Sequence, residues 1–146
     1  MSSRSLLHIE DLVVEFVTEN GRIRAVDQLG LEITPGEIVG LVGESGCGKS
    51  VTALALMGLV PSPPGKVSAK TLEFEGRDLS AMTQKDMAEI RGTGMAMIFQ
   101  EPMTALDPVF TIASQMTEVL KRQCCLSADT ALKEAVAWLD KVGIPE

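Results

Sequence analysis

The feature that most constrains this chain is a glycine-rich turn, Gly43–Ser50, which has the sequence GESGCGKS. It matches the pattern G-x-x-x-x-G-K-[ST], which is typical of loops that bind phosphate. Such a loop must point successive backbone N–H groups at the anion, and bulky side chains would obstruct that wrap. The pattern therefore predicts a strand–loop–helix unit in which the helix begins at Gly48-Lys49 and its N-terminal end faces the phosphates.

We predict that this loop and the first turn of the helix bind a nucleotide. The Lys49 ammonium is expected to reach the β- and γ-phosphates as a catalytic group, and the Ser50 hydroxyl is expected to ligate Mg²⁺ with Thr52 assisting. A structural glycine turn that contains Lys and Ser by chance is the alternative. The predicted cofactor-binding residues of this segment are Gly43, Glu44, Ser45, Gly46, Cys47, Gly48, Lys49, Ser50, Val51 and Thr52.

The residues around the loop predict buried elements. Apolar side chains nearly fill residues 37–42, which is typical of a strand that is covered on both faces in a parallel sheet. Small and apolar residues from Val51 to Leu59 predict a buried helix, which the loop Pro61–Gly65 should stop. A second strongly apolar run, Met95–Phe99, predicts another buried strand.

The first 36 residues predict an antiparallel β-unit. Residues 6–16 alternate between apolar and polar, with a slip at Glu10-Asp11 that indicates a bulge. Asn20-Gly21 is typical of a tight turn, and alternation resumes at residues 29–33. Leu72 and Phe74 alternate with glutamates, which predicts one more half-exposed strand.

Helix signals occupy the remainder of the chain. Thr83 followed by Asp86 predicts a capping box, and Met87 and Ile90 should face inward from that short helix. Two amphipathic helices are predicted farther on, the second capped by Ser127 and ended by Gly143. Their apolar stripes are Ile112, Met116, Val119 and Leu120 in the first and Leu132, Val136 and Leu139 in the second.

Composition limits the classes of partner. The 146 residues correspond to about one domain, and their net charge of −7 disfavours nucleic-acid binding through a basic surface. Cys47, Cys124 and Cys125 form neither a disulfide framework nor a metal-binding pattern, so we expect reduced thiols. Oxidation or alkylation of Cys47 could block the loop, although a small side chain turned away from the phosphates is the alternative.

Two segments together resemble a known family. Val42–Gly58 (VGESGCGKSVTALALMG) and Met95–Pro108 (MAMIFQEPMTALDP) resemble the phosphate loop and the Q-loop of ABC transporter ATP-binding subunits, and the likeness is closest to the di- and oligopeptide importers, a group that includes glutathione and nickel importers. The resemblance implies an α/β P-loop NTPase fold of the ABC ATPase type. Within residues 1–146 it implies an antiparallel β-subdomain over 1–36, a P-loop core portion over 37–100, and the Q-loop with the start of a helical subdomain over 101–146. Because strands that would cover residues 38–42 and 95–99 do not occur in these residues, we expect an incomplete parallel core sheet with exposed apolar edges.

The resemblance also implies roles for single residues. Phe16 is expected to stack on adenine, and a core Phe at a strand end is the alternative. Gln100 is expected to contact Mg²⁺ and the attacking water, so it is both a catalytic and a metal candidate; a polar strand cap is its alternative. Residues 101–108 should meet transmembrane permease subunits, although Ala105 and Asp107 replace the expected Ser and Asn.

The implied protein binds ATP and Mg²⁺, pairs head-to-tail with a second ATP-binding subunit, and lies peripherally on the cytoplasmic side of the inner membrane. Its hydrolysis of ATP would drive uptake of di- or oligopeptides. The signature motif, the acidic pair and the switch histidine of the family do not occur in these residues. We therefore expect the N-terminal portion of a longer subunit, with weak nucleotide binding and little hydrolysis by itself. A P-loop nucleotide-binding module without a transport role is the alternative, and a small kinase is disfavoured.

Overall fold

The computed structural model describes residues 5–19, 21–99 and 105–144, which divide between two compact units. The first unit extends to Met95 and the second begins at Ala96. No helix among these described residues is long and apolar enough to cross a lipid bilayer.

The first unit contains a five-stranded antiparallel sheet. The long strand β1 pairs with β2 along one edge, and its other edge pairs first with β4 and then with β3. β5 completes the sheet beside β4. The strands are β1 (Leu7–Thr18), β2 (Gly21–Ile33), β3 (Gly65–Ser68), β4 (Thr71–Phe74) and β5 (Arg77–Asp78).

A bulge in β1 keeps its apolar side chains on one face. Asp11 has a φ of 51°, and the register with β2 shifts between Ile9 and Leu12. Because the bulge adds one residue, Leu12 and Val14 return to the face already used by Leu7 and Ile9. All four of those side chains are buried, so the predicted antiparallel unit and its bulge are confirmed.

Two α-helices pack on the buried face of this sheet. They are α1 (Lys49–Leu56) and α2 (Gln84–Ile90), with a short 3₁₀ turn at Leu79–Ala81 between them. The predicted capping box at the start of α2 is present, since Asp86 N donates to Thr83 Oγ1 and Thr83 N donates to an Asp86 carboxylate oxygen. The core side chains of this unit are Leu7, Ile9, Leu12, Val14, Val26, Ala55, Leu72, Phe74, Leu79, Met87 and Ile90.

The sequence predicts buried parallel strands over 37–42 and 95–99, and this prediction is wrong for this structure. Both segments have irregular backbone apart from a single bridge between Met95 and Arg91, and Ile38, Val42 and Ile98 are more than nine-tenths exposed. An apolar run becomes a strand only when a neighbouring strand accepts and donates its backbone hydrogen bonds. Among the described residues none pairs with these segments as a parallel ladder, so the strands of the incomplete parallel sheet predicted within 37–100 are not formed here. The exposed apolar side chains agree with the predicted lack of covering strands.

The second unit is a pair of contacting helices, α3 (Ile112–Cys124) and α4 (Ala128–Lys141). Thr111 caps α3, and Ser127 caps α4 as predicted. The buried residues of α4 are Ala131 and Ala135, one position before the predicted apolar stripe. Small side chains there permit close approach of the two helices, and Leu132 is left half-exposed.

Candidate phosphate-binding site

The glycine-rich turn adopts a backbone that few residues other than glycine can follow. Gly46 has a φ of 82° and Gly48 a φ of 95°, and both lie in the left-handed region that side chains disfavour. α1 begins directly after Gly48, which is where the sequence predicts its start. The two glycines therefore turn the chain so that the N-terminal end of α1 opens into the loop.

Gly48 also meets β2 at close range. It is buried, and a Cβ atom built on it would overlap the backbone carbonyl oxygen of Ala25 and lie 3.3 Å from Val26 Cγ2. The loop is thus seated directly on a strand that comes more than twenty residues earlier in the chain. No local sequence pattern signals this contact, and sequence reasoning missed the part that Ala25 and Val26 play.

The first turn of α1 presents backbone donors. Thr52 N donates to Gly48 O at 2.8 Å, so the amides of Lys49, Ser50 and Val51 precede the first intrahelical hydrogen bond. Gly48 has no side chain that could cap them. These amides and the positive end of the helix dipole form an environment that favours an anion.

Lys49 folds back over the loop. Its Nζ donates to Gly43 O at 2.7 Å and to Glu44 O at 2.6 Å, and it lies 3.4 Å from Cys47 Sγ. In the part of the chain that the structure describes, the acceptors that hold the ammonium group at the turn are therefore neutral. A phosphate oxygen is a stronger partner for this cation than a carbonyl oxygen, because the acceptor is then charged as well.

The two hydroxyl groups that follow Lys49 differ in environment. Ser50 is exposed at the start of α1, whereas Thr52 is only 4% exposed and its Oγ1 donates to Gly48 O at 3.0 Å. Ser50 is thus the hydroxyl open to a metal ion, and the hydroxyl of Thr52 braces the helix start. No cluster of three or more metal-ligating side chains occurs among the residues the structure describes.

A cleft of about 390 Å³ lies beside the loop within the first unit. Its volume is within the range of small-molecule sites, which is roughly 300–1,000 Å³. One wall is β2, and the other is the phosphate loop with the start of α1. The lining residues are Arg24, Ala25, Val26, Asp27, Leu29, Leu41, Val42, Cys47, Gly48, Lys49 and Thr52.

The two cations in this cleft are not equivalent. Arg24 binds Glu15 and Asp27 with N–O distances of 2.9 Å, and the hydrogen bonds to Glu15 and then Asp27 raise the pKa of its guanidinium. Its charge is thus already compensated by two carboxylates. Lys49 contacts backbone carbonyls and a thiol, so its charge is the one available to an anionic ligand.

Of the predicted site residues, Cys47, Gly48, Lys49 and Thr52 line this cleft, whereas Phe16 does not. Phe16 lies on the buried face of β1, half-buried, and its Cε1 would be 3.1 Å from a Cβ on Gly65, with which it pairs in register. It does not line the cleft, and its adenine-stacking role stays a prediction. Gln100, the predicted catalytic and metal-binding glutamine, lies outside the described residues.

Comparison with known proteins gives consistent results. A family model described as ABC transporter matches residues 26–146. The chain is 43% identical over 140 residues to the oligopeptide transport ATP-binding protein OppD of Bacillus subtilis (strain 168), and 43% identical over 142 residues to the dipeptide transport ATP-binding protein DppD of Escherichia coli (strain K12). These alignments cover 96% and 97% of this chain but 39% and 43% of the relatives, so the chain spans about two fifths of their length.

Proposed function

Because this chain belongs to the ABC transporter family, we propose that it forms the ATP-binding portion of a subunit that powers peptide import. The relatives named above are peptide transport ATP-binding proteins, and they support a di- or oligopeptide as the cargo. The proposed position is peripheral, on the cytoplasmic side of the inner membrane. A second ATP-binding subunit is the proposed head-to-tail partner.

One observation carries the nucleotide-binding part of this proposal. The Lys49 ammonium and the first-turn amides of α1 lie at the same glycine turn, and none of the carboxylates in residues 5–19, 21–99 and 105–144 binds that ammonium. A preformed cation with neutral partners beside free N–H donors is the electrostatic arrangement that polyphosphates select. Among the described residues that line the cleft, Asp27 is the one acidic side chain, and its carboxylate already binds Arg24.

The proposal gives Lys49, the first-turn amides and Ser50 separate roles in binding the nucleotide. Lys49 exchanges its bonds to the Gly43 and Glu44 carbonyls for bonds to phosphate oxygens, and the amides of residues 49–51 donate to the same anion. Ser50 supplies a hydroxyl oxygen for Mg²⁺, which when bound neutralises charge on the phosphates. Gln100 is proposed as a further Mg²⁺ and water contact, and Phe16 as the adenine-stacking residue.

Residues 105–108, the described part of the segment proposed to meet the permease, are hydrogen-bonded to α3 through Asp107. Gln115 accepts from Asp107 N at 2.9 Å and donates to Asp107 O at 2.8 Å, and Asp107 Oδ1 accepts from Val109 N. An apolar groove of about 380 Å³ adjoins this segment, which supports a protein partner there. Its lining residues are Ala105, Leu106, Gln115, Met116, Val119, Leu120 and Trp138.

Equilibrium binding of a fluorescent ATP analogue with Mg²⁺ tests the nucleotide site. We expect saturable binding by the chain and a loss of at least about tenfold in affinity for Lys49→Ala, because one charge-assisted contact contributes roughly 1.5–3 kcal/mol. Lys66→Ala, which removes an exposed lysine on β3, is the matched control and should bind normally. Equal affinity of Lys49→Ala and Lys66→Ala would contradict the proposal.

A further inference from the structure

The C-terminal end of α1 is capped by hydrogen bonds from Arg91, a residue that is distant in sequence. Arg91 follows the last residue of α2, and its Nε donates to Met57 O at 2.7 Å while its Nη2 donates to Gly58 O at 3.0 Å. Both acceptors lie just past the C-terminal end of α1. The contact joins residues that are 34 and 33 positions apart in sequence.

The carbonyl groups of Leu54 and Ala55 at this helix end accept local hydrogen bonds. Gly58 has a φ of 60°, and the chain there forms a Schellman turn in which Leu59 N donates to Leu54 O and Gly58 N donates to Ala55 O. The carbonyl oxygens of Met57 and Gly58 are not used by that turn, and both accept hydrogen bonds from the Arg91 guanidinium. A guanidinium at this end also complements the negative end of the helix dipole.

α1 is a short helix that rests on the sheet near its N-terminal end, where Gly48 meets β2. It is eight residues long, about 12 Å at 1.5 Å per residue, and its buried residues are Thr52 and Ala55. Val51 and Leu56 add partly buried contacts with the core, and the two hydrogen bonds from Arg91 fix the chain just beyond the C-terminal end of α1. The N-terminal end of α1 carries the proposed phosphate-binding amides. Because the helix is stiff, a tilt at its C-terminal end displaces these amides.

We propose that Arg91 is a positioning residue for the phosphate loop: by clamping the C-terminal end of α1 to the end of α2, it holds the first-turn amides where a phosphate is bound. The inference rests on the proposed function for its ligand, but the clamp itself acts in the unliganded protein. The backbone of Arg91 is anchored in turn, because Arg91 N donates to Met87 O, and Gly92 N donates to Met95 O in the turn that follows.

Two variants and a control test the clamp. Arg91→Ala removes both bonds, whereas Arg91→Lys keeps the charge but lacks the planar fork that reaches two carbonyls at once. Arg22→Ala, which removes an exposed arginine on β2, is the matched control. Amide hydrogen exchange of the unliganded protein and ATP affinity are measured for all three.

We expect faster exchange at Thr52 and Ala53, the first hydrogen-bonded amides of α1, in both Arg91 variants and not in Arg22→Ala. We also expect ATP affinity to fall by roughly 2- to 30-fold, the range typical of coupling between connected positions. Faster exchange confined to residues 56–59 would overturn the proposal, because Arg91 would then be only a local cap. Uniform loss of protection in β1 and α1 would also overturn it.

The two proposals fail separately. If the wild-type chain binds no ATP, the proposed function fails, and faster exchange at Thr52 in the Arg91 variants still supports the clamp. If the wild-type chain binds ATP and Arg91→Lys matches it in both measurements, the clamp fails and the proposed function stands.

Discussion

Replacing Gly48 by alanine separates backbone strain from steric overlap in the phosphate loop. Gly48 and Gly46 both have positive φ, at 95° and 82°, so an alanine at either position meets the same kind of backbone strain. Only at Gly48 would the new methyl group overlap the carbonyl oxygen of Ala25; at Gly46 nothing lies within 4 Å of the added Cβ. Gly46→Ala is therefore a matched control within the same loop.

The expected cost follows from these two contributions. Left-handed backbone costs an alanine about 1–2 kcal/mol, which applies to both variants. Forcing a methyl group into a closed contact costs about 1–3 kcal/mol more, and this applies to Gly48→Ala alone. We therefore expect Gly48→Ala to be less stable than Gly46→Ala by about 2 kcal/mol.

Urea denaturation followed by circular dichroism measures this difference. With a slope of about 2 kcal/mol per molar urea, the midpoint of Gly48→Ala should lie about 1 M below that of Gly46→Ala. Exchange of the β2 amides should increase only in Gly48→Ala, since the overlap is with that strand. Identical midpoints for the two variants would refute the reasoning that β2 seats the loop.

Further predictions concern the thiol of the loop and one helix cap. Alkylation of the exposed Cys47, whose Sγ is 3.4 Å from Lys49 Nζ, should abolish ATP-analogue binding, and Cys47→Ser should bind and resist the reagent; retained binding by the alkylated wild type would contradict this. Hydrogen bonds from Thr83 lower the pKa of Asp86, so this carboxylate stabilises the fold above its ordinary pKa near 3.8, and that stability is lost as pH falls through the lowered folded value. The acid-induced loss should therefore be smaller in Asp86→Asn, as measured by urea midpoints between pH 6 and pH 2. Thr83→Ala should cost about 1 kcal/mol at neutral pH in the same assay, and an unchanged midpoint would show that the cap does not stabilise α2.

The local features of the fold could be predicted from sequence because their causes are local. The bulge at Glu10-Asp11, the capping box of Thr83 and Asp86, and the start of α1 after Gly48 each depend on residues a few positions apart. The end of α1 shows where such prediction weakens. The sequence predicts that the loop Pro61–Gly65 stops the helix, but the Schellman turn at Gly58 ends it after Leu56.

Long-range contacts could not be predicted in the same way. The apolar runs at residues 37–42 and 95–99 indicate a preference for burial, but the pattern does not say which strand would pair with them. In the structure the strands that pair are those of the antiparallel sheet, and Ile38, Val42 and Ile98 are exposed. The same limit applies to α4, where the buried face differs by one residue from the predicted stripe.

By itself the sequence determined the phosphate loop. The backbone of such a loop requires spaced glycines, the anion requires a lysine and a hydroxyl, and all of these lie within eight residues. Only the tertiary structure decided what holds that loop in place. β2 lies under Gly48, and Arg91 closes the other end of α1. Both contacts join residues more than twenty positions apart, and they depend on how the chain folds back on itself.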